Sequence, residues 1–169
     1  MILDLQAIEQ LFDPWKQTYS DSVTLSTGIT AVHLLAMLFG GGLAIAADRT
    51  TLMLRGEKLD QRKQHLFDLS ALHRPVLIAL TISAISGIAM LTSDLKTFVA
   101  SPVLWIKLGL VALLLINGVL LERTESALRK SADTEGSESL WSRLKFNAIS
   151  SLVLWAATLV AGITLVNVA

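Results

Sequence analysis

The chain has 169 residues, 53% of them hydrophobic, with fourteen Lys and Arg balancing fourteen Asp and Glu, three His and no Cys. A net charge of zero argues against nucleic acid as a partner. Without Cys there are no disulfides, thiolate metal sites, iron–sulfur clusters or covalent c-type haem, so any metal or haem must be held by His, Met, Lys or carboxylates.

Residues 1–23 come first and read as an acidic amphipathic segment. Leu5, Ile8 and Phe12 recur at helical spacing, with Asp4, Glu9 and Asp13 beside that stripe. The segment lacks the basic start and cleavage site of a signal peptide. It reads as a helix lying in a membrane interface, or as a docking helix for a partner subunit or a lid over the bundle. Asp13-Pro14 is expected to end it, because the residue before a proline avoids the helical region.

Residues 24–169 then hold four apolar runs, at about 25–47, 75–93, 102–121 and 148–168, none containing Asp, Glu or Arg. At 1.5 Å per residue, about 20 residues match a hydrocarbon core about 30 Å thick. Only helices and closed barrels satisfy their own backbone in lipid, and these runs do not alternate as strands. The expected fold is therefore an all-α integral membrane four-helix bundle with an N-terminal amphipathic interfacial helix. Between the first two runs, residues 48–74 mix leucines with charges and read as helix extensions broken near Gly56. Residues 94–101 form a short connector, so the second and third helices are antiparallel neighbours. Residues 131–138 are polar and Gly-containing, a plain flexible link.

Eleven basic residues fall in the two long loops: Arg49, Arg55, Lys58, Arg62, Lys63, Arg74, Arg123, Arg129, Lys130, Arg143 and Lys145. Two, Lys16 and Lys96, fall on the other face, and Lys107 lies within a run. The positive-inside rule then puts the long loops in the cytoplasm and both termini outside, in the periplasm for a bacterial inner membrane. Trp105 and Trp141 are expected near the interfaces. Gly40/Ala44, Gly42/Ala46, Ser83/Gly87 and Ala157/Ala161 give the small-xxx-small spacing that lets helices pack closely.

Ionisable groups at membrane depth are candidate sites by default. His33 is about 12 Å and Lys107 about 8 Å below the outer face at 1.5 Å per residue. Both are on helices running the same way, so they share a depth and could share a pocket. Ser86 belongs at a similar depth, as a hydrogen-bond partner for His33. His73 is expected to open the second helix at the cytoplasmic face, roughly 20 Å from His33 along the axis, too far for both to hold one haem. His65 is expected in solvent. Met37 and Met90 are possible metal ligands that more often serve as core filler. Asn117 and Asn147 are expected to bond across helices.

The order of these residues resembles two related groups of small bacterial membrane proteins. The first helix reads His33-Leu-Leu-Ala-Met-Leu-Phe-Gly-Gly-Gly, the second ends Ile85-Ser-Gly-Ile-Ala-Met, and the third opens Ser101-Pro-Val-Leu-Trp-Ile-Lys107-Leu-Gly-Leu-Val. A His-Leu-Leu start before Gly-Gly, a late Ser-Gly and a Lys-Leu after a short outer connector resemble the copper-resistance protein D family and the HemJ-type protoporphyrinogen oxidases, over about residues 29–123. In the oxidases a first-helix histidine and a third-helix lysine are functional, which by position are His33 and Lys107. The chain departs from the oxidase pattern where Phe39 replaces a Trp-like position and Asn117 stands in place of a third-helix histidine.

Two functions follow as expectations. One is a haem b-associated redox protein, with His33 as metal ligand, Lys107 facing a propionate or substrate carboxylate, and Ser86 supporting the histidine. The other is a non-catalytic accessory subunit of a larger membrane complex, packing against partner subunits or as a homo-oligomer in the lipid bilayer. Copper handling is a third.

Overall fold

The computed structural model describes residues 5–54, 59–130 and 137–168, with side chains from Gln10 onward in the first of these stretches. Six helices make up the fold: α1 (Leu5–Asp21), α2 (Val23–Met53), α3 (Leu59–Ser93), α4 (Leu95–Ala100), α5 (Pro102–Lys130) and α6 (Ser137–Val168). The break expected near Gly56, the link at 131–136 and the stripe formed by Leu5 and Ile8 lie outside the described side chains.

Four of the helices, α2, α3, α5 and α6, are long and apolar enough to cross a membrane. They pair as two antiparallel hairpins, α2 with α3 and α5 with α6, joined along α2 and α6. Leu38, Ile85, Ile116 and Ile163 point outward. Apolar surface exposed on this scale fits a protein inserted in a membrane and in contact with lipid.

The spanning helices run well beyond the four apolar runs. α3 begins at Leu59 and passes through Pro75, so His73 sits inside a helix and does not open one. Pro75 costs one backbone hydrogen bond. The helix persists because its flanks are packed. Leu66 and Leu69 enter a core with Leu121, Leu128, Trp141 and Leu144, closed at its edge by Ala47 and Leu54. This core lies at the basic end, beyond the apolar runs, where burial from water supplies a driving force that lipid does not. Trp141 therefore belongs to the core and not to an interface, with the Arg62 guanidinium 5.2 Å above its ring. Trp105 is 59% exposed, and its indole Nε1 donates to the Val99 carbonyl at 3.1 Å.

The helix also continues past Pro14. The Trp15 indole Nε1 donates to the Ala89 carbonyl at 2.9 Å, and its ring meets that of Tyr19, one turn on, at a tilt of 53° with centroids 5.8 Å apart. Tertiary anchoring outweighs the local proline penalty here, as it commonly does for a short helix. α1 stops at Ser22, whose hydroxyl caps α2 by accepting from the Leu25 amide at 3.3 Å. α1 is thus held on its own chain, against the ends of α2, α3 and α4. Trp15→Phe keeps the ring and loses the donor, and should loosen α1 by about 1 kcal/mol. Limited trypsin digestion should show faster cleavage after Lys16 in this variant.

Close packing uses Gly40 and Gly41. A Cβ on Gly40 would stand 2.9 Å from the Ala79 Cβ, and one on Gly41 would stand 3.1 Å from the Trp155 ring. Gly42 has nothing within 4 Å and faces outward, so the Gly42/Ala46 pair is not a contact between these helices. Between α5 and α6, Asn117 Nδ2 donates to the Asn147 carbonyl at 3.0 Å, and Asn147 Nδ2 reaches Thr124 Oγ1 at 3.4 Å. These are the cross-helix bonds expected of the two asparagines.

Candidate functional site

His33 on α2 is half-buried and faces α3. Its Nδ1 lies 2.9 Å from the Ser83 carbonyl oxygen and 3.2 Å from Ser86 Oγ. A carbonyl oxygen can only accept, so Nδ1 carries the proton. Ser86 donates its own hydrogen to the Ile82 carbonyl at 2.7 Å, which leaves its oxygen free to accept. Gly87 completes the socket, because a Cβ there would come within 3.2 Å of His33 Cε1. The Ser83/Gly87 spacing thus makes room for an imidazole. Nδ1 is spent on the backbone, and the Nε2 lone pair is left for a ligand.

Lys107 comes from α5. Its Nζ rests against α6, 3.4 Å from where a Cβ on Gly162 would stand. No carboxylate among the described residues pairs with it. The ammonium is near enough to His33 to act on its ring electrostatically. The two polar groups come from different hairpins, His33 from α2 and Lys107 from α5. A cation without a counter-ion at membrane depth is costly, and such residues commonly meet a substrate or cofactor charge.

Beyond this site, toward the free end of the bundle, a cavity of about 530 Å³ opens between α1 and the α3–α4 corner. Phe12, Asp13, Lys16, Thr92, Leu95 and Lys96 line it. Thr92 is six residues past Ser86 on α3, about 9 Å along the helix, so the cavity lies beyond the socket and does not enclose it.

The other two histidines take structural partners. His65 is only 7% exposed and its Nε2 lies 2.9 Å from Thr51 Oγ1, so it is not a solvated loop residue. Thr51 gives its hydrogen to the Ala47 carbonyl, so His65 Nε2 is the donor. His73 Nε2 lies 2.7 Å from Glu125 Oε2, and Arg129 Nη2 lies 2.6 Å from Glu125 Oε1. Glu125 is completely buried. The helical pair Glu125/Arg129 was readable from its i,i+4 spacing. The third member, His73, was not, because it arrives from another helix. His73 is ten residues below Ser83 on α3, about 15 Å, so it cannot share a ligand with His33.

Asp48 is a further buried group that the apolar runs hid. It follows the first run directly, is 3% exposed, and faces the Ser151 hydroxyl of α6. Among the described residues, no three His, Cys, Asp or Glu side chains come together to hold a metal ion.

No family model, curated protein or solved structure matches the chain.

Proposed function

We propose that this chain is a haem b-associated redox protein of a bacterial inner membrane, with His33 as axial ligand through Nε2. The observation that carries the reading is the Nδ1 hydrogen bond to the Ser83 carbonyl. A ligating histidine characteristically donates its other ring N–H to a carbonyl or carboxylate, which fixes tautomer and ring orientation and raises ligand basicity. Ser86 supports the same nitrogen, and Lys107 supplies an unpaired cation for a propionate or a substrate carboxylate. Bound haem would supply one-electron chemistry. The chain's part is to hold the imidazole, neutralise a carboxylate and shield the site with apolar helices. Met37 and Met90 would be the other residues able to offer the iron a ligand atom. The resemblance to the HemJ-type group points to the same two residues.

Purified protein supplemented with haem should show a Soret band that His33→Ala abolishes and His73→Ala retains. If the wild type binds no haem, the accessory-subunit reading replaces this one.

The orientation belongs to the same proposal. The eleven-to-two distribution of Lys and Arg puts the core-bearing ends of the helices in the cytoplasm and both termini in the periplasm. The chain has no native Cys, so single cysteines report cleanly. Lys130→Cys should resist a membrane-impermeant thiol reagent in intact cells, and Val168→Cys should react. The opposite pattern rejects the orientation.

A further inference from the structure

Three buried side-chain polar atoms have no hydrogen-bond partner among the described residues: Asp48 Oδ2, Thr158 Oγ1 and Glu125 Oε1, of which the last faces the Arg129 guanidinium in an ion pair. Asp48 and Thr158 are 3% and 1% exposed. Orphaned polar atoms this deep are rare, and an internal water is their usual partner. They are also aligned. Ser151, which faces Asp48, and Thr158 are seven residues apart on α6, so they share one face and stand about 10.5 Å apart along the axis. Trp155 lies between them on that face with its ring on Gly41. Gly162, one turn beyond Thr158, meets the Lys107 ammonium.

The series extends in the other direction too. Thr51 lies one turn beyond Asp48 on α2, is 1% exposed, and accepts from His65. Glu125, whose charge reaches His65, pairs with His73, and the His73 side chain is 27% exposed. Hydroxyls, a carboxyl and imidazoles thus mark a route from the exposed basic end of the bundle to the level of Lys107. Packing alone would favour apolar side chains at these positions, since an unsatisfied buried polar group costs about 1–3 kcal/mol.

We propose that Asp48, Ser151 and Thr158 are stations on an internal-water proton path through the bundle. Asp48 takes a proton on Oδ2, forming an O–H bond, and releases it to water on the far side. Ser151 and Thr158 pass protons by accepting one as they donate their own. The two hydroxyls are about 10.5 Å apart along α6, so internal water has to pass beside the Trp155 ring to join them. Asp48 has Ser151 of α6 as its side-chain partner and no ion pair with a charged group of α2, α3 or α6 among the described residues. Its carboxyl is therefore free to gain and lose a proton without breaking a salt bridge. The proposal goes beyond the haem reading and stands without it.

The test is proton flux. The full chain, prepared without haem, is reconstituted in liposomes holding a pH-sensitive dye, and flux is driven by a potassium gradient with valinomycin. Wild-type vesicles should acidify faster than protein-free ones. Asp48→Asn keeps the shape but has no exchangeable acid proton, and should cut the flux by about a hundredfold, the scale of a lost proton-transfer group. Thr158→Val should slow it less, and Asp48→Glu should retain it. Thermal melting of Asp48→Asn checks that the bundle is intact. Wild-type flux equal to that of empty vesicles overturns the proposal, as does an Asp48→Asn variant as fast as wild type. Because the protein carries no haem, the result is independent of the Soret experiment.

Discussion

Glu125→Ala should destabilise the bundle by about 3 kcal/mol, near the lower end of the range for breaking a buried ion pair from one side. Glu125 is completely buried and holds His73 at 2.7 Å and Arg129 at 2.6 Å. Removing its carboxylate strands two cationic or polar groups in a packed core and leaves a cavity among leucines. The loss falls toward the lower end because both partners are partly solvated, with side chains 27% and 41% exposed, so each recovers some hydration. Glu125→Gln should cost less, since the amide oxygen still accepts from His73. Thermal unfolding in detergent, followed by circular dichroism, reads the difference. A melting temperature for Glu125→Ala within error of wild type would show that the pair does not hold α3 to α5.

Gly40→Leu should be damaging for a different reason. A Cβ at this position already stands 2.9 Å from Ala79 Cβ and 3.9 Å from the Trp155 ring. Both neighbours are rigid: one is a methyl fixed to the α3 backbone, the other a ring on α6. The leucine can be accommodated only by moving helices apart, and overpacking of this kind costs about 1–3 kcal/mol or more. Gly42→Leu is the control, because nothing lies within 4 Å of that position and the new side chain enters lipid. The expected result is a lowered melting temperature for the Gly40 variant and none for the Gly42 variant. Equal tolerance would mean that α2 and α3 are not in close contact in the membrane.

The two glycine predictions also show where sequence reasoning stopped. Spacing alone cannot separate Gly40 from Gly42, since both begin a small-xxx-small pair. Only the rotation of α2 against α3 and α6 decides which glycine is inside. Ser83 and Gly87 are a similar case. Their spacing suggested helix contact, but their neighbour is the His33 ring. The depth of His33 and Lys107 could be counted from the run boundaries, whereas the identity of the His33 acceptor, a backbone carbonyl, leaves no trace in residue types.

Asp48, His65 and His73 were misjudged by proximity to charged sequence. Residues 48–74 carry many polar side chains, so a solvated reading of His65 is natural. In the structure the helices extend beyond the apolar runs and pack on Leu66, Leu69, Leu128 and Leu144, which removes Asp48 and His65 from water and leaves His73 partly exposed. The apolar leucines in that stretch were the available signal. They recur at Leu59, Leu66, Leu69 and Leu72, at spacings compatible with one helical face.

What the amino-acid order alone decided is the solvent and the class of fold. Four uncharged runs of membrane-spanning length leave helices as the structure that satisfies every backbone group in lipid, and that constraint acts on each run separately. Proline positions did not override it: α1 and α3 run through Pro14 and Pro75 because neighbouring contacts hold them. Tertiary structure decided which faces meet, and with them every partner discussed above. His33 with Ser83, His73 with Glu125, Thr51 with His65 and Asp48 with Ser151 each join two helices. Such pairings depend on the rotation and tilt of rigid helices relative to one another. A rotation of about 100° advances a helix face by one residue, so the pattern along any single helix leaves them undetermined.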